Sequence, residues 1–399
     1  MNLSSRYPLA TRGKIIVWGL LASHPFGGMT WQVLQYLVGL RRLGFDVWYV
    51  EDSDGPVLDP IRFWPTVDYQ PNVEYLSRQM ESVSLQDRWV FRPPEARDTC
   101  LGATNRAGLA RLYKEADAVL NLCGAQELRP DHSHIRCLIY LQTDPAADQV
   151  KVANGDQDKI RELDAYHFLF TYGENLGAPE CLIPLERYHW LPTRPPVCID
   201  WWRTENAPAS NAMFTTITNW KKNPEKDVVW QGQAWRWNKQ DEWRRFINLP
   251  SRSVSPLGLA IGAINDDDQA LLRSHGWHLT PATGLADPFR YRDYIRTSLG
   301  EFTIAKEQYV LPRSGWFSDR SVCYLAAGRP VITQDTGFGC TIPTGNGLLA
   351  FRTEEEALTA IAEVAGDYSH HSQAALELAR ESFEAERVIA DMLHNAGLM

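Results

Sequence analysis

The chain has 399 residues, 44% apolar, 22% charged and 11% aromatic, and its 40 Lys+Arg against 49 Asp+Glu give a net charge of −9. At about 150 residues per domain there is chain for two domains with sizeable cores, and the aromatic content excludes a disordered protein. The acidic balance argues against a general nucleic-acid binder, and the longest apolar run, Ile15 to Ala22, falls far short of the roughly 20 residues of a membrane span.

Arg6, Arg12 and Lys14 precede that run, but no Ala-x-Ala site follows, so it reads as a first strand and not as a leader. Seven scattered cysteines without a CxxC fit a reducing cytoplasm. Lys14–Leu20 is a strand, Met29–Leu43 a helix ended by Gly44, and Phe45–Val50 a second strand, a unit that implies a parallel sheet. A helix over Arg106–Asp117, strands over Ala118–Cys123 and Ile135–Gln142, a helix over Lys151–Asp164 and a strand over His167–Thr171 continue it. Residues 52–100 are rich in proline, poor in periodicity, and read as an insertion or an acceptor-side loop region.

Leu191–Pro196 reads as a linker because proline breaks regular structure. A second series follows: strand Met213–Asn219, strand Leu257–Gly262, helix Asp267–His275, strand Trp277–Leu279, helix Asp287–Ser298, strand Glu301–Ala305, helix Ser318–Ala327 and strand Val331–Gln334. Thr353 and Glu356 form a capping box that opens a helix to about Ala365, and a final helix covers about Gln373–Asn395. Two α/β units in series leave a cleft, and ligands bind at the carboxyl ends of parallel strands.

The segment Pro312–Val331 has the sharpest chemistry. Ser318 caps a helix whose first turn holds Asp319, Arg320 and Ser321, and a helix start favours an anion. Arg313 and Arg320 add forked donors suited to phosphate, and Gly315 permits close backbone approach. The competing reading is an ordinary capped helix. In the first loop, Gly27 and Gly28 allow a ligand near the backbone and His24 can act as a base or donor, although GxGxxG is not satisfied. Asp144 follows an apolar strand, where a carboxylate can take a proton or orient a hydroxyl; the alternative is an Asp-Pro turn. Glu174 and Asn175 can contact sugar hydroxyls by the same logic, as can Asp335 and Thr336. Asn219 and Lys221 follow the first strand of the second half, where Lys221 can reach a phosphate and Trp220 can stack on a base.

Trp230, Trp235, Trp237 and Trp243 interleave with Arg236, Lys239, Arg244 and Arg245, a mixture that can bind single strands or anionic sugars, but a packed aromatic surface is the better reading. His132/His134 and His370/His371 lack metal-ligand spacing and read as surface histidines; Asp266–Asp268 reads as a helix start. No metal site or cofactor is predicted.

Phe302 to Phe351, with SGWFSDRSVCYLAAGRPVITQDTG and then GNGLLAF, followed by TEEEALTAI, resembles the nucleotide-binding domain of GT-B glycosyltransferases of family-4-like layout. The resemblance implies α/β architecture with two Rossmann-like domains facing a cleft. It divides the chain into an acceptor-side domain over 1–195, a nucleotide-sugar-binding domain over 196–375, and a C-terminal helix over 376–399 packing back on the first domain. It implies a nucleotide-diphosphate sugar donor, an acceptor hydroxyl of unknown kind, metal-independent transfer and a cytoplasmic enzyme. Family-4-like members carry two glutamates where this chain has Gly315 and Cys323. Donor binding would instead fall to Arg313, Ser314, Gly315, Ser318, Asp319, Arg320 and Ser321, with Asp144 or His24 as base. Arg320→Ala is expected to lose turnover and stay folded. The alternatives are a sugar-nucleotide epimerase of the same architecture and a non-catalytic nucleotide- or sugar-binding protein.

Overall fold

The computed structural model describes residues 12–52, 54–94, 96, 98–220 and 227–399. Its first sheet comprises β1 (Lys14–Trp18), β2 (Asp46–Glu51), β3 (Trp89–Phe91), β4 (Leu101–Gly102), β5 (Ala118–Leu122), β6 (Leu138–Gln142), β7 (Phe168–Thr171) and β8 (Trp190–Pro192). The order is β8-β7-β6-β5-β1-β2-β3-β4, parallel except for β4. Ile15 pairs with Val47 on one side and Ala118 on the other, so the order reverses at β1. These strands are near-continuous apolar runs because helices cover both faces.

The second sheet comprises β9 (Phe214–Asn219), β10 (Leu257–Gly262), β11 (His278–Pro281), β12 (Gly300–Thr303), β13 (Val331–Gln334) and β14 (Leu348–Phe351). It is wholly parallel in the order β11-β10-β9-β12-β13-β14, reversing between β9 and β12. Both sheets are those of Rossmann-like domains, and ligands bind outside the strand ends at such reversals.

Helix α1 (Gly27–Arg42) joins the two halves. Val33, Leu34, Tyr36, Leu37, Val38 and Leu40 are all buried, which a helix with one solvent face would not allow. Its second covering consists of α2 (Pro288–Thr297), α3 (Asp319–Ala326) and α4 (Ala385–Asn395). A side chain at Gly39 would collide with Ile389 and Ala385, so glycine there permits the close approach of α4. Arg42 also pairs with Glu386 on α4 and with Asp200.

Three expected elements differ. The supposed linker holds β8, paired parallel with β7; Pro192 is tolerated because the strand lies at the sheet edge. The helix expected over 151–164 is two, Ala147–Ala153 and Gln157–Asp164, divided at Gly155, whose φ of +79° is left-handed. The final helix is likewise two, Tyr368–Ser382 and α4, because Val197 hydrogen-bonds the backbone of Phe383 and Ala385 and interrupts the helical ladder. Within 52–100 the chain forms β3, a helix over Gln70–Ser82 and a small hairpin of Val57–Leu58 with Pro65–Thr66. That helix is tied to the first loop by Asn72, which donates to the carbonyls of Ala22 and Leu58.

Candidate functional site

The loop after β1 is held from beneath by Glu51, at the end of β2. Its buried carboxylate accepts from the backbone N–H of Ala22 at 2.7 Å, the N–H of Ser23 at 2.6 Å, the Ser23 hydroxyl and the Tyr49 hydroxyl. Burial pushes the Glu51 pKa up and these four donors oppose that shift. The loop then enters α1 through Gly27 and Gly28. A Cβ at Gly27 would lie 2.5 Å from the Leu285 carbonyl and 2.9 Å from Tyr291, so this glycine serves packing of α1 against the second half rather than ligand approach. Gly28, whose nearest neighbour would be the Tyr291 hydroxyl at 3.4 Å, opens onto a cavity. His24 is partly buried beside Phe26 and does not line that cavity.

The carboxyl ends of the two sheets face each other. Beyond β6, Thr143 accepts from the Trp316 indole N–H at 2.9 Å, and Asp144 accepts from Lys306 Nζ at 2.7 Å and from the Tyr309 hydroxyl. Lys306 also lies 3.1 Å from the centre of the Trp237 ring. Helix α3 starts here: the Ser318 side chain caps it by accepting from the Arg320 N–H.

Two cavities meet at Arg320. The smaller, about 170 Å³, has Asn219, Asn238, Lys239, Lys306 and Arg320 among its lining residues. The larger, about 370 Å³, has Gly28, Gln32, Asp144, Trp316, Ser318, Asp319 and Arg320 on its wall. The smaller gathers three cations, and the larger two carboxylates. Asp319 is pushed up to about 6 by burial and by the nearby Asp144 charge, against hydrogen bonds from Gln32 and the Tyr172 hydroxyl. Arg320 donates from Nε to Glu301 at 2.5 Å, from Nη1 to the Ile217 carbonyl and from Nη2 to Thr303. Three of its five N–H donors are therefore spoken for, and Glu301, fully buried, compensates its charge.

The other predicted residues lie elsewhere. Arg313 pairs with Asp335, which also binds Arg352 and the Gly337 N–H, and neither Arg313 nor Asp335 lines either cavity. Ser314 donates to the Tyr309 carbonyl. Gly315 has φ +77° and packs on Asn175, whose side chain donates to the carbonyls of Arg313 and Gly337: this is an inter-sheet clamp. Thr336 donates to the Trp316 carbonyl, and Glu174 pairs with Arg194 at 2.5 Å. Ser321 is buried with its hydroxyl unpartnered. Trp220 is core, its indole N–H given to Asp268, as are Trp235 and Trp243. His132 is buried against Trp18 and Tyr113, and His371 is buried too, so two of the histidines expected at the surface are not there. Lys221 lies outside the described residues. Among the described residues no three His, Cys, Asp or Glu gather as a metal site, and no helix is long and apolar enough to cross a membrane.

Sequence reading missed Lys306, Tyr309, Gln32, Trp316 and Glu51, and set Lys239 in a packed aromatic surface rather than at this cavity. Lys306 had a usable signal, since it stands just past the carboxyl end of β12, where cleft residues belong.

No model of a known protein family matches the chain, nor does any curated protein sequence. Solved structures do match over nearly its whole length. An alpha-glucosyltransferase in complex with UDP-glucose and DNA containing an abasic site superposes with a TM-score of 0.56 at 9% identity, covering 96% of this chain and 98% of that one. HepE of Anabaena in complex with UDP and glucose gives 0.52 at 12% identity, covering 96% and 100%. Sucrose-phosphate synthase from Thermosynechococcus elongatus gives 0.52 at 12%, covering 96% and 98%. The chain thus has the GT-B fold and is similar in structure to GT-B glycosyltransferases.

Proposed function

We propose that the protein is a glycosyltransferase that moves a sugar from a nucleotide-diphosphate donor to an acceptor hydroxyl, with residues 1–195 on the acceptor side, 196–375 on the donor side and 376–399 crossing back. The observation that carries this reading is the division of the cleft into a cation-lined and a carboxylate-lined cavity meeting at Arg320. The donor diphosphate occupies the first, facing Lys239, Lys306 and Arg320. Asn219 borders it. UDP is the first donor nucleotide to test, because two of the structural neighbours above were solved with it or its sugar.

In the transfer the acceptor oxygen attacks the anomeric carbon and the bond from that carbon to the β-phosphate oxygen breaks. The diphosphate leaves with the electron pair and the hydroxyl proton passes to a carboxylate, Asp144 or Asp319. Charge growing on the leaving group is stabilised by the three cations, which take the place of a divalent metal. All seven cysteines are unpaired, which supports a reducing, cytoplasmic compartment.

One observation favours a second reading. Gly315 stands where family-4-like enzymes carry a glutamate, and a Cβ there would lie 2.6 Å from the Asn175 N–H, so a carboxylate is excluded at that place. Cys323, at the other glutamate position, is a buried residue of α3 whose thiol donates to the Asp319 carbonyl. This favours a nucleotide- or sugar-binding protein without turnover; a sugar-nucleotide epimerase of the same architecture is the alternative enzyme. Incubation with a labelled nucleotide sugar and an acceptor panel separates the three: a glycosylated product, an epimerised donor, or bound donor unchanged.

A further inference from the structure

The larger cavity is built unlike the smaller one. Asp319 and Asp144 lie on its wall; Asp144 is paired with Lys306 of the smaller cavity, and among the described lining residues the one cation, Arg320, sits at the junction and is compensated by Glu301. Gln32 extends from α1 into the same wall and hydrogen-bonds Asp319. Trp316 gives its indole N–H to the Thr143 carbonyl and packs its ring on Tyr309, centroids 4.4 Å apart and planes tilted by 31°, so what it offers the cavity is apolar ring surface. An apolar ring beside acceptor-rich carboxylates suits a sugar, which has apolar C–H faces and donating hydroxyls. Asp319, which has no cation paired with it among the described residues, repels an anion, because like charges brought together in a cleft cost far more than in open water.

Resting on the glycosyltransferase reading, we propose that this cavity is the acceptor subsite and takes an uncharged, hydroxyl-rich ring, seated on Trp316 with its hydroxyls donating to Asp319 and Asp144. Phosphorylated sugars and uronic acids are rejected by the Asp319 carboxylate. Asp319 thus belongs to the acceptor and not to the donor phosphates, since it lines only the carboxylate cavity.

The test uses the full chain with UDP-glucose, or with the sugar of whichever nucleotide calorimetry shows to bind. One acceptor pool holds methyl glucoside, methyl galactoside, maltose and cellobiose; the other holds glucose 6-phosphate, galactose 6-phosphate and glucuronic acid. Glycosylated products are read by mass. The proposal expects product from the neutral pool, at least about tenfold more than from the anionic pool. It expects Asp319→Asn to cut that rate about 100-fold or more while leaving the Kd for the nucleotide unchanged. Trp316→Leu serves as a second variant should Asp319→Asn fold poorly, and is expected to raise the acceptor KM with nucleotide Kd unaltered. Preference for the anionic pool, or no neutral product from a chain that binds its donor, would overturn the proposal and leave the donor site standing. Absence of any nucleotide binding would instead overturn the glycosyltransferase reading beneath it.

Discussion

Lys306 Nζ lies 2.7 Å from Asp144 Oδ1, a bond between residues 162 positions apart that links the carboxyl ends of the two sheets. Asp144 is 42% exposed and Lys306 16%, so the pair borders the cleft rather than the core. An ion pair this open contributes only about 1 kcal/mol or less to stability. Its value lies in placing an ammonium group at the rim of the cation-lined cavity. Lys306→Gln should therefore lower affinity for a nucleoside diphosphate by about tenfold or more, as loss of a charge-assisted bond does. The same variant should melt close to the parent; titration calorimetry and a thermal melt check both.

Arg320 and Glu301 behave differently, because Glu301 is wholly buried. Removing the guanidinium leaves an uncompensated buried carboxylate, at about 3–5 kcal/mol. The expectation that Arg320→Ala stays folded is therefore revised. Arg320→Met should unfold at clearly lower urea, and Arg320→Met with Glu301→Gln should recover most of the loss. Equal midpoints for the single and double variants would show that the pair is not coupled.

Asp319 gives a pH signature. Its folded pKa, about 6, lies above the ordinary aspartate value of 3.8 because burial and the Asp144 charge disfavour ionisation. The native state binds this proton more tightly than the unfolded chain. The side chain therefore favours folding most at low pH, and that stabilisation is lost as pH rises through 6. Asp319→Asn, neutral throughout, should gain stability over the parent as pH rises from about 4 to 7, by on the order of 1–3 kcal/mol. Melting curves at pH 4, 5, 6 and 7.5 measure the widening gap; a constant difference would contradict the assigned shift.

The two glycines that open α1 should separate cleanly. Gly27→Ala forces a methyl group to within 2.5 Å of the Leu285 carbonyl and should cost about 1–3 kcal/mol by overpacking. Gly28→Ala meets only the Tyr291 hydroxyl at 3.4 Å and should fold normally while narrowing the larger cavity. Denaturant midpoints together with acceptor KM values distinguish the two effects.

Much of the fold was legible because β1, β5 and β6 are short apolar runs and α1 shows helical spacing ended by Gly44, whose φ is +90°. Breaks made by distant chain were not legible: nothing local to Phe383 announces that Val197 will pair there. The same limit governed the site. Local logic found Asp144, Ser318 and Arg320, each at a strand or helix end. It placed Arg313, Asp335 and Asn175 at the ligand because arginine, aspartate and asparagine suit phosphates and sugars. The fold uses them on each other, Arg313 on Asp335 and Asn175 on the Gly337 carbonyl. Lys239 and Lys306 escaped because they line one cavity only once segments 217–220, 237–239 and 306–320 of the second half are folded together.

The central claim is that the cation-lined cavity holds a nucleoside diphosphate, and calorimetric titration with UDP, GDP, dTDP, CDP and ADP tests it most directly. The account predicts saturable binding of one of them, weakened about tenfold or more by Lys306→Gln and unchanged by Asp319→Asn. Binding of none, or binding that Lys306→Gln leaves intact and Asp319→Asn abolishes, would contradict it.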